Sequence, residues 1–232
     1  MTKENLNTYV ASYTDFNGWL AEKRYQIFQD HYKGSTCLEL GPAEGQGTAH
    51  LLAYFDKVVS VDGSQTFIDD LESKFGSNKK FTSVCSYFED LELDEKYDTI
   101  ILAHILEHVD NPNEILAVAK KFLNKDGVII ADVPNANSLH RQIGVKMGLL
   151  AHNTELNDAD KSVGHKRVYT PEEFQKEIKK AGFEIIKFGG TFIKITSNSE
   201  TQQKFSDEQL NAMVQIGLDN PEIAADIFIV AK

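Results

Sequence analysis

The stretch CLELGPAEGQG, residues 37–47, predicts a buried strand, a turn of small residues and the start of a helix. Gly41 lets the backbone bend tightly after the strand and approach a ligand closely. A second apolar stretch, KVVSVD at residues 57–62, predicts the next strand. Its last residue, Asp62, lies 21 residues after Gly41, close to the interval of about 20 at which a ribose-binding acid follows a glycine turn. With Glu39 at the end of the first strand, these features predict a nucleoside site at adjacent strand ends.

The glycine spacing indicates which kind of nucleoside could bind. A dinucleotide fingerprint reads G-x-G-x-x-G and places a pyrophosphate over a helix N-terminus. Here Gly41, Gly45 and Gly47 follow the pattern G-x-x-x-G-x-G, and Glu44 stands inside the turn. Glu44 would repel a pyrophosphate but not a ligand that carries an ammonium and a sulfonium. The pattern therefore disfavours a nicotinamide oxidoreductase. The alternative to a nucleoside site is an ordinary βα turn of another α/β protein.

Length and composition predict a globular protein with one large α/β domain, or one domain and a cap. The chain has 232 residues, of which 41% are hydrophobic and 25% charged, and its net charge is −11. This charge disfavours nucleic acid, whose phosphates require clustered Lys and Arg, and anionic membranes. No apolar run approaches the ~18 residues of a membrane span, and residues 1–7 are too polar for a signal peptide. Cys37 and Cys85 are predicted to be buried thiols in a reducing cytoplasm.

Apolar stretches alternate along the chain with stretches of helical periodicity. The predicted strands are residues 36–40, 58–61, 80–85, 97–103, 127–133, 183–188 and 225–231. This alternation predicts an α/β fold with a seven-stranded, mostly parallel sheet and helices on both faces. Ligands of such sheets bind at the carboxyl ends of the strands, where the strand order reverses.

Two long connections interrupt the alternation, at residues 134–170 and 191–221. Connections of this length in a compact domain are usually functional. The first is predicted to be a helical cap over the active site, with a helical decoration of no catalytic role as the alternative. The predicted parts are an N-terminal helical segment or lid at 1–35, a cofactor-binding core at 36–133, a cap at 134–170 and the C-terminal part of the sheet at 171–232.

Motifs in several parts of the chain resemble those of class I S-adenosylmethionine (SAM)-dependent methyltransferases. ELGPAEG at residues 39–45 resembles their first motif, and VVSVDGS at residues 58–64 resembles the second. YDTIILAHILEHV, residues 97–109, and PEEF, residues 171–174, resemble the branch that includes ubiquinone-biosynthesis O-methyltransferases. The resemblance, to methyltransferases of the type 11, 12 and 23 groups, covers about residues 36–183. It implies a Rossmann-like class I methyltransferase fold and SAM as the cofactor.

The resemblance also implies which residues hold the cofactor. Asp62 matches the acid that binds the ribose hydroxyls, Phe88 can pack on the purine, and Glu89 can accept from its amino group. The implied cofactor set is Glu39, Gly41, Pro42, Ala43, Gly45, Asp62, Gly63, Phe88, Glu89, Ala103 and His104. The chain departs from the family at Ala43, where glycine is usual, and at Tyr87, where an acid is usual. Alanine at this position must keep φ negative or be slightly strained.

Methyl transfer from a sulfonium is an in-line displacement, so positioning and exclusion of water supply much of the catalysis. A hydroxyl or ammonium acceptor must also lose a proton, a step that suits a histidine near its ordinary pKa. His165, at the end of the cap, is predicted to be the base or the orienting group for the acceptor. His104, just after the fourth strand, is the second catalytic candidate, with a cofactor wall or a helix cap as the alternative. Glu107 and His108 alone are too few ligands to predict a metal site.

The cap also carries groups suited to a polar acceptor. Asn135 and Asn137 follow the fifth strand and can offer neutral hydrogen bonds, and Arg141 can hold a phosphate or carboxylate by paired bonds. Tyr169 completes the predicted acceptor set, beside the basic pair at residues 166–167. This local positive charge in an acidic protein predicts a small polar acceptor, such as a phosphorylated metabolite or a nucleotide sugar.

The leading prediction is an enzyme that moves a methyl group to an oxygen or nitrogen of such a small molecule, as a cytoplasmic monomer or homodimer. The alternative is a non-catalytic SAM-binding or partner-binding protein, because Ala43 and Tyr87 depart from the family pattern. Near the N-terminus, Tyr9, Tyr13 and Phe16 are predicted to form an aromatic lid near the sulfonium or to pack the first helix.

Overall fold

The structure, a computed structural model, describes residues 15–232. Its centre is a seven-stranded sheet with β1 (Thr36–Leu40), β2 (Lys57–Asp62), β3 (Phe81–Cys85), β4 (Tyr97–Ala103), β5 (Leu123–Pro134), β6 (Ile185–Gly190) and β7 (Asp226–Ala231). The helices of the described residues are α1 (Asp15–Phe28), α2 (Gln46–Tyr54), α3 (Gln65–Phe75), α4 (Pro112–Phe122), α5 (Leu139–Lys146), α6 (Asp158–Ser162), α7 (Pro171–Lys180), α8 (Asn198–Lys204) and α9 (Asp207–Asp219). The predicted α/β fold is confirmed, and the largest difference in a strand's bounds is that β5 begins at Leu123 rather than at residue 127.

The strands are arranged in the order β3-β2-β1-β4-β5-β7-β6. β7 is antiparallel to both of its neighbours, and the other adjacent pairs are parallel. The prediction of a mostly parallel sheet is therefore confirmed. The antiparallel strand follows the second long connection, which contains α8 and α9 and returns the chain to the opposite end of the sheet.

The strand order reverses between β1 and β4, and this reversal positions the candidate site. Leu40, the last residue of β1, is in register with Val61 of β2 on one side and with Leu102 of β4 on the other. Asp62 and Ala103, which come next on those two strands, therefore lie beside the loop that follows β1. A crevice at such a reversal is the usual ligand site of an open α/β sheet.

Alternating side chains of the central strands pack against helices on the two faces of the sheet. Leu38 and Leu40 belong to a buried apolar cluster that includes Phe174 of α7. Cys37, between them, belongs to a second cluster that includes Phe28 of α1. Because successive side chains of a strand point to opposite faces, the continuous apolar sequence of β1 is explained by helices that cover both faces.

The two predicted buried thiols have different environments. Cys37 is fully buried in β1, as predicted, but Cys85 is exposed at the end of β3. β3 is an edge strand that pairs only with β2, so the apolar pattern at residues 80–85 does not place every side chain in the core. No helix among the described residues has the length and apolar character needed to cross a membrane.

The predicted cap, residues 134–170, contains α5 and α6, and hydrogen bonds join its two ends. Asn135 forms an isolated parallel bridge with Tyr169, and the backbone N–H of Ala136 donates to Tyr169 O at 2.8 Å. The backbone N–H of Asn135 donates to Ala225 O at 2.9 Å. These bonds hold both ends of the cap beside the carboxyl end of β5.

Candidate cofactor and acceptor site

The loop after β1 has a backbone conformation that only small residues accept. Gly41 has φ +71°, and a Cβ there would lie 2.1 Å from the Cδ1 of Ile105. Its N–H donates to Val61 O at 2.8 Å, which ties the loop to β2. Ala43 has φ +46°, so the strain expected at this departure from the family pattern is present, at a cost of roughly 1–2 kcal/mol.

Two residues of the implied cofactor set support this loop from behind. Glu39 is buried, and its carboxylate accepts hydrogen bonds from Tyr25 at 3.0 Å, Thr48 at 2.6 Å and Ser60 at 2.8 Å. Burial raises the pKa of Glu39, although these three hydrogen bonds lower it. Gly45 has φ +85° and begins α2. Neither residue lines the two cavities described below. In the structure they hold the loop and α2 in place, and their predicted contact with the ligand stays a prediction.

A cavity of about 330 Å³ lies beside the loop, and its walls include Asp62, Gly63, Phe88 and Glu89. These residues come from the ends of β2 and β3, and the structure brings them together as the motif spacing predicts. Asp62 is buried, and its Oδ1 accepts from the backbone N–H of Ser64 at 2.8 Å. Burial raises the pKa of Asp62, although backbone hydrogen bonds lower it. An acid, an aromatic ring and a second acid in one cavity suit a nucleoside.

A second cavity, of about 570 Å³, adjoins the first, and Gly41, Ala43, His104 and His108 line both. Pro42 and Ala103 of the predicted cofactor set line the second cavity. The rest of its wall comes from α1, the start of α2, the predicted cap, the segment after β6 and the start of β7. The charged and polar residues of that wall include Arg24, Asn135, His140, Arg141, Asp160, His165, Lys194, Asn198 and Asp226. The two connections that interrupt the βα alternation thus meet over the strand ends.

His104 lies between three carboxylates and one guanidinium, with a φ of +54°. Its Nδ1 is 3.1 Å from Glu107 Oε1, and its Nε2 is 3.3 Å from Asp132 Oδ2 and 3.7 Å from Asp226 Oδ1. Arg24 Nη2 lies 2.7 Å from the same Nε2. Burial and Arg24 lower the pKa of His104, but the three carboxylates outweigh them and hold it well above its usual value. The three carboxylates therefore favour the charged form of His104, and its catalytic role stays a prediction.

The raised pKa of His104 predicts a pH dependence of stability. Its charged form is stabilised by the fold, so this contribution is complete below its unfolded pKa of about 6.5 and is lost as pH rises through the folded pKa. We expect the free energy of unfolding, measured by urea titration, to fall from pH 7 to pH 9.5. The decrease should be smaller in His104→Asn, since asparagine tolerates positive φ. An equal decrease in both proteins would assign the pH effect to other groups.

Arg141 borders the second cavity but is held by contacts within the cap, and its predicted role in binding the acceptor stays a prediction. The guanidinium is buried and pairs through Nη1 with Asp160 Oδ2 at 3.0 Å. Its Nε donates to Asn153 O at 2.7 Å, and its Nη2 donates to Glu155 O. Burial raises the pKa of Asp160, but hydrogen bonds from His165, the backbone N–H of Asn157 and Arg141 outweigh it and hold it below its usual range.

Arg141→Met should therefore destabilise the protein rather than only weaken acceptor binding. Removing one partner of a buried ion pair leaves the other charge uncompensated, and we expect a loss of about 3 kcal/mol in the free energy of unfolding. Urea denaturation would measure it. Lys146→Met, an exposed lysine of the same helix, is the matched control and should change stability little. Unaltered stability in Arg141→Met would contradict the structural role.

The other predicted acceptor residues are also used internally. Asn135 borders the second cavity, but its Nδ2 donates to Ala224 O at 2.8 Å, and its Oδ1 accepts from the backbone N–H of Asn137 at 2.8 Å. Asn137 and Tyr169 line neither cavity, and the Tyr169 hydroxyl donates to Leu106 O at 3.5 Å. The Asn135 side chain is thus bonded to the backbone of its neighbours, and the acceptor roles of these three residues stay predictions.

The basic pair at residues 166–167 does not form a free positive patch. Lys166 pairs with Asp110 at 2.7 Å. Arg167 donates to the backbone carbonyls of Leu106 at 2.7 Å and Val109 at 2.5 Å. These bonds attach the end of the cap to the turn after β4.

Two other histidines of the cavities, His108 and His140, differ from His104 in the direction of their pKa shift. Burial lowers the pKa of His108 to about 4 and that of His140 to about 3. Both are therefore neutral at pH 7. His165 lines the second cavity, and its Nδ1 lies 3.4 Å from Asp160 Oδ1. The structure thus brings both predicted catalytic histidines, His165 and His104, to the same cavity.

Among residues 15–232, two groups of side chains have atoms close enough together to bind a metal ion. The groups are Glu107, His108 and His165, and His104, Asp132 and Asp226, each with ligand atoms within 4.8 Å of one another. In the first, the cationic His104 lies 3.1 Å from Glu107, so its charge opposes a second cation. In the second, Arg24 Nε already lies 2.5 Å from Asp132 Oδ2. We therefore propose no metal for either group.

The sequence interpretation did not include several residues of the second cavity. Arg24 was one basic residue of a polar helix, and Lys194 and Asn198 lie in the segment after β6. Asp132 and Asp226 do indicate this cavity in the sequence. Each is an acid inside or at the start of an otherwise apolar strand, and a buried acid requires a partner. Arg24 is that partner, at 2.5 Å from Asp132 and 3.3 Å from Asp226.

Of the three residues of the predicted aromatic lid, the structure describes Phe16. Tyr9 and Tyr13 lie outside the described residues. Phe16 is buried, stacks on Trp19 at 5.6 Å between ring centroids and packs against Phe192. It therefore packs the first helix, the alternative given above, and lines neither cavity.

The strand order, the glycine loop after β1 and the acid after β2 define a class I SAM-dependent methyltransferase fold. A sequence profile of the family described as "Methyltransferase domain" matches residues 15–187. The chain belongs to this methyltransferase-domain family. The family and the fold confirm the predicted class and agree with SAM as its cofactor.

Individual relatives agree with this assignment. The chain is similar to a ubiquinone biosynthesis O-methyltransferase of Rickettsia bellii (strain OSU 85-389), with 27% identity over 121 residues that cover 50% of each protein. It thus spans about half the length of the curated relatives it matches. The fold is similar to that of a possible histamine N-methyltransferase from Thermotoga maritima, with a TM-score of 0.63, 20% identity, and coverage of 91% of this chain and 88% of that chain. It is also similar to the N-methyltransferase NodS from Bradyrhizobium japonicum WM9 in complex with S-adenosyl-L-homocysteine (SAH), with a TM-score of 0.61, 10% identity, and coverage of 99% and 92%.

Proposed function

We propose that this chain binds SAM across the two adjoining cavities and transfers its methyl group to an oxygen or nitrogen of a small polar acceptor. The observation that carries the proposal is the shared wall of the cavities. The nucleoside-type groups Asp62, Phe88 and Glu89 line one cavity, while Gly41 and His104 line both. A ligand with its nucleoside in the first cavity would therefore extend toward the second, where an acceptor can approach.

The residues present suit this cofactor. In the proposal, Asp62 accepts hydrogen bonds from the ribose hydroxyls and Phe88 packs on the purine. A Cβ at position 41 would lie 2.1 Å from Ile105 Cδ1, so glycine is required there and the loop has no side chain at this point. When bound, SAM supplies a methyl group on a sulfonium, which is already a good leaving group.

The acceptor side of the proposed reaction depends on His165. Because its Nδ1 faces Asp160, we assign Nε2 as the nitrogen that receives the acceptor proton or orients the acceptor. The Asp160 carboxylate, 3.4 Å from Nδ1, orients the ring with Nε2 toward the acceptor. His104, a cation between Glu107 and Asp132, supplies fixed charge at the junction of the cavities instead of taking a proton.

The proposed acceptor is small and polar, with a phosphate or a sugar among its possible groups. The second cavity supports this choice because its wall carries both signs of charge and amide groups. Its volume of about 570 Å³ is in the range of small-molecule sites.

Two measurements test the proposed function. Calorimetric titration with SAM and SAH should show micromolar binding of both. Methyl-labelled SAM should then transfer label to members of a panel of alcohols, amines, sugars and their phosphates. Binding without transfer to any member would favour the non-catalytic SAM-binding alternative, and absence of binding to either compound would reject the proposal.

A further inference from the structure

Lys194 differs from every other lysine and arginine that lines the two cavities among the described residues. Arg24 pairs with Asp132, Arg141 with Asp160, and Lys166 with Asp110. No carboxylate of the described residues lies within ion-pair distance of the Lys194 amine. Among the lysines and arginines that line these cavities in the described part of the chain, Lys194 is therefore the one without an ion pair.

The carboxylates nearest to Lys194 are already paired. Asp226 and Asp160 both act on Lys194 electrostatically. Asp226 Oδ2 lies 3.3 Å from Arg24 Nη2, and Asp160 Oδ2 lies 3.0 Å from Arg141 Nη1. Burial lowers the pKa of Lys194, although these two acids raise it. A half-buried amine without an ion pair is unfavourable unless a ligand supplies the counter-charge.

A neutral hydrogen-bonding group accompanies Lys194 in the same cavity wall. The Nδ1 of His140 is buried and has no hydrogen-bond partner among the described residues. Asn198 lines the same cavity, and its Oδ1 is likewise buried without such a partner. His140 lies on α5 of the cap, whereas Lys194 and Asn198 lie in the second long connection. Two separate segments thus present unsatisfied polar groups to one space.

We propose that Lys194 and His140 form a subsite for an anionic group of the acceptor, a phosphate or a carboxylate. The amine supplies the charge, and a neutral imidazole N–H donates a hydrogen bond to the anion. Asn198 accepts from a neighbouring hydroxyl of the acceptor. This proposal rests on the proposed function and names a subsite for its acceptor. In it, Lys194 takes the anion-binding role that the sequence predicted for the basic residues of the cap, which form internal contacts instead.

The chemistry of the neighbouring cofactor site favours an anion here. SAM carries an ammonium, a sulfonium and one carboxylate, so it adds positive charge to the joined cavities. The side chains already present pair with one another, as described for Arg24 and Arg141. An acceptor with a negative group is therefore the complement of the loaded site, and a neutral acceptor would leave Lys194 without an ion pair.

The first test is anion binding, with inorganic phosphate and acetate titrated into the SAH-saturated protein. We expect saturable binding of at least one anion that shifts the imidazole NMR signals of His140. Lys194→Met should weaken binding by about 10-fold or more, the size expected for a charged hydrogen bond. Lys194→Arg should remain within about 3-fold of the parent. Lys187→Met, an exposed lysine on β6, is the matched control and should bind like the parent.

The second test separates an anion site from a base. Arginine keeps the charge but does not release a proton near neutral pH, so Lys194→Arg should keep most of the methyl transfer to an anionic acceptor. A loss equal to that of Lys194→Met would make Lys194 the base and overturn the proposal. Failure of the parent to bind either anion, or unchanged binding in Lys194→Met, would also overturn it.

The SAH titration distinguishes this failure from failure of the proposed function. Normal SAH binding and methyl transfer without a Lys194-dependent anion would reject the subsite alone. Lys194-dependent phosphate binding in a protein that binds neither SAM nor SAH would reject the methyltransferase proposal and leave the anion site standing. SAH binding by each variant also shows that the variant is folded.

Discussion

Asp62→Ala should abolish measurable binding of SAM and SAH at concentrations that saturate the parent. Asp62 lies at the end of β2 and is the buried acid of the first cavity. In the proposed complex its carboxylate accepts from two ribose hydroxyls, and hydrogen bonds to charged groups contribute about 1.5–3 kcal/mol each. Loss of both corresponds to about 3 kcal/mol or more, a factor of at least about 10² in Kd. Isothermal titration calorimetry is the measurement.

The control for this variant must separate binding from folding, because Asp62 also accepts from the backbone N–H of Ser64. Asp70→Ala removes an exposed acid from α3 and should bind SAM like the parent. Urea denaturation of Asp62→Ala should show a cooperative transition. Retention of parental affinity in a folded Asp62→Ala protein would mean that the cofactor does not use the first cavity in the proposed orientation.

His165→Ala should lower the methyl-transfer rate by about 10²-fold while SAM affinity stays nearly unchanged. His165 belongs to the second cavity and not to the first, so its loss removes proton transfer or orientation of the acceptor without touching the nucleoside. Steady-state rates at saturating SAM, together with calorimetric Kd values, separate the two effects.

His152→Ala is the matched control, because His152 is an exposed histidine of the same cap. It should alter neither rate nor affinity. Asp160→Asn adds a positioning test: the ring of His165 would lose the carboxylate 3.4 Å from Nδ1, and the rate should fall with a changed pH profile. A rate in His165→Ala within a few-fold of the parent would remove this residue from the mechanism.

Local patterns were sufficient to predict the fold and the first cavity. The apolar sequence of β1, the glycine turn and Asp62 lie within 26 residues of one another, from Cys37 to Asp62. Their spacing depends on the geometry of one βαβ unit, which the short-range sequence specifies. Phe88 and Glu89, three and four residues after the end of β3, were implied by the family resemblance, and both line the first cavity.

Predictions about the second cavity were less successful because its residues come from distant parts of the chain. Arg24 and Asp226 are separated by 202 positions, and no local pattern joins them. Arg141 looked free to bind an anion, but Asp160 lies beside it only after the cap has folded. Glu39 was predicted to contact the ligand, but in the structure its carboxylate accepts hydrogen bonds from Tyr25 and Thr48.

The sequence by itself determined the class of the protein, the order of its strands and helices, and the glycine and acid that line the first cavity. These features follow from side-chain periodicity and turn chemistry, which act over a few residues. Only the tertiary structure decided which polar groups are paired within the fold and which face a ligand. That outcome depends on burial and on partners brought together from separate segments, as with His104, whose pKa is set by three carboxylates from three different parts of the chain.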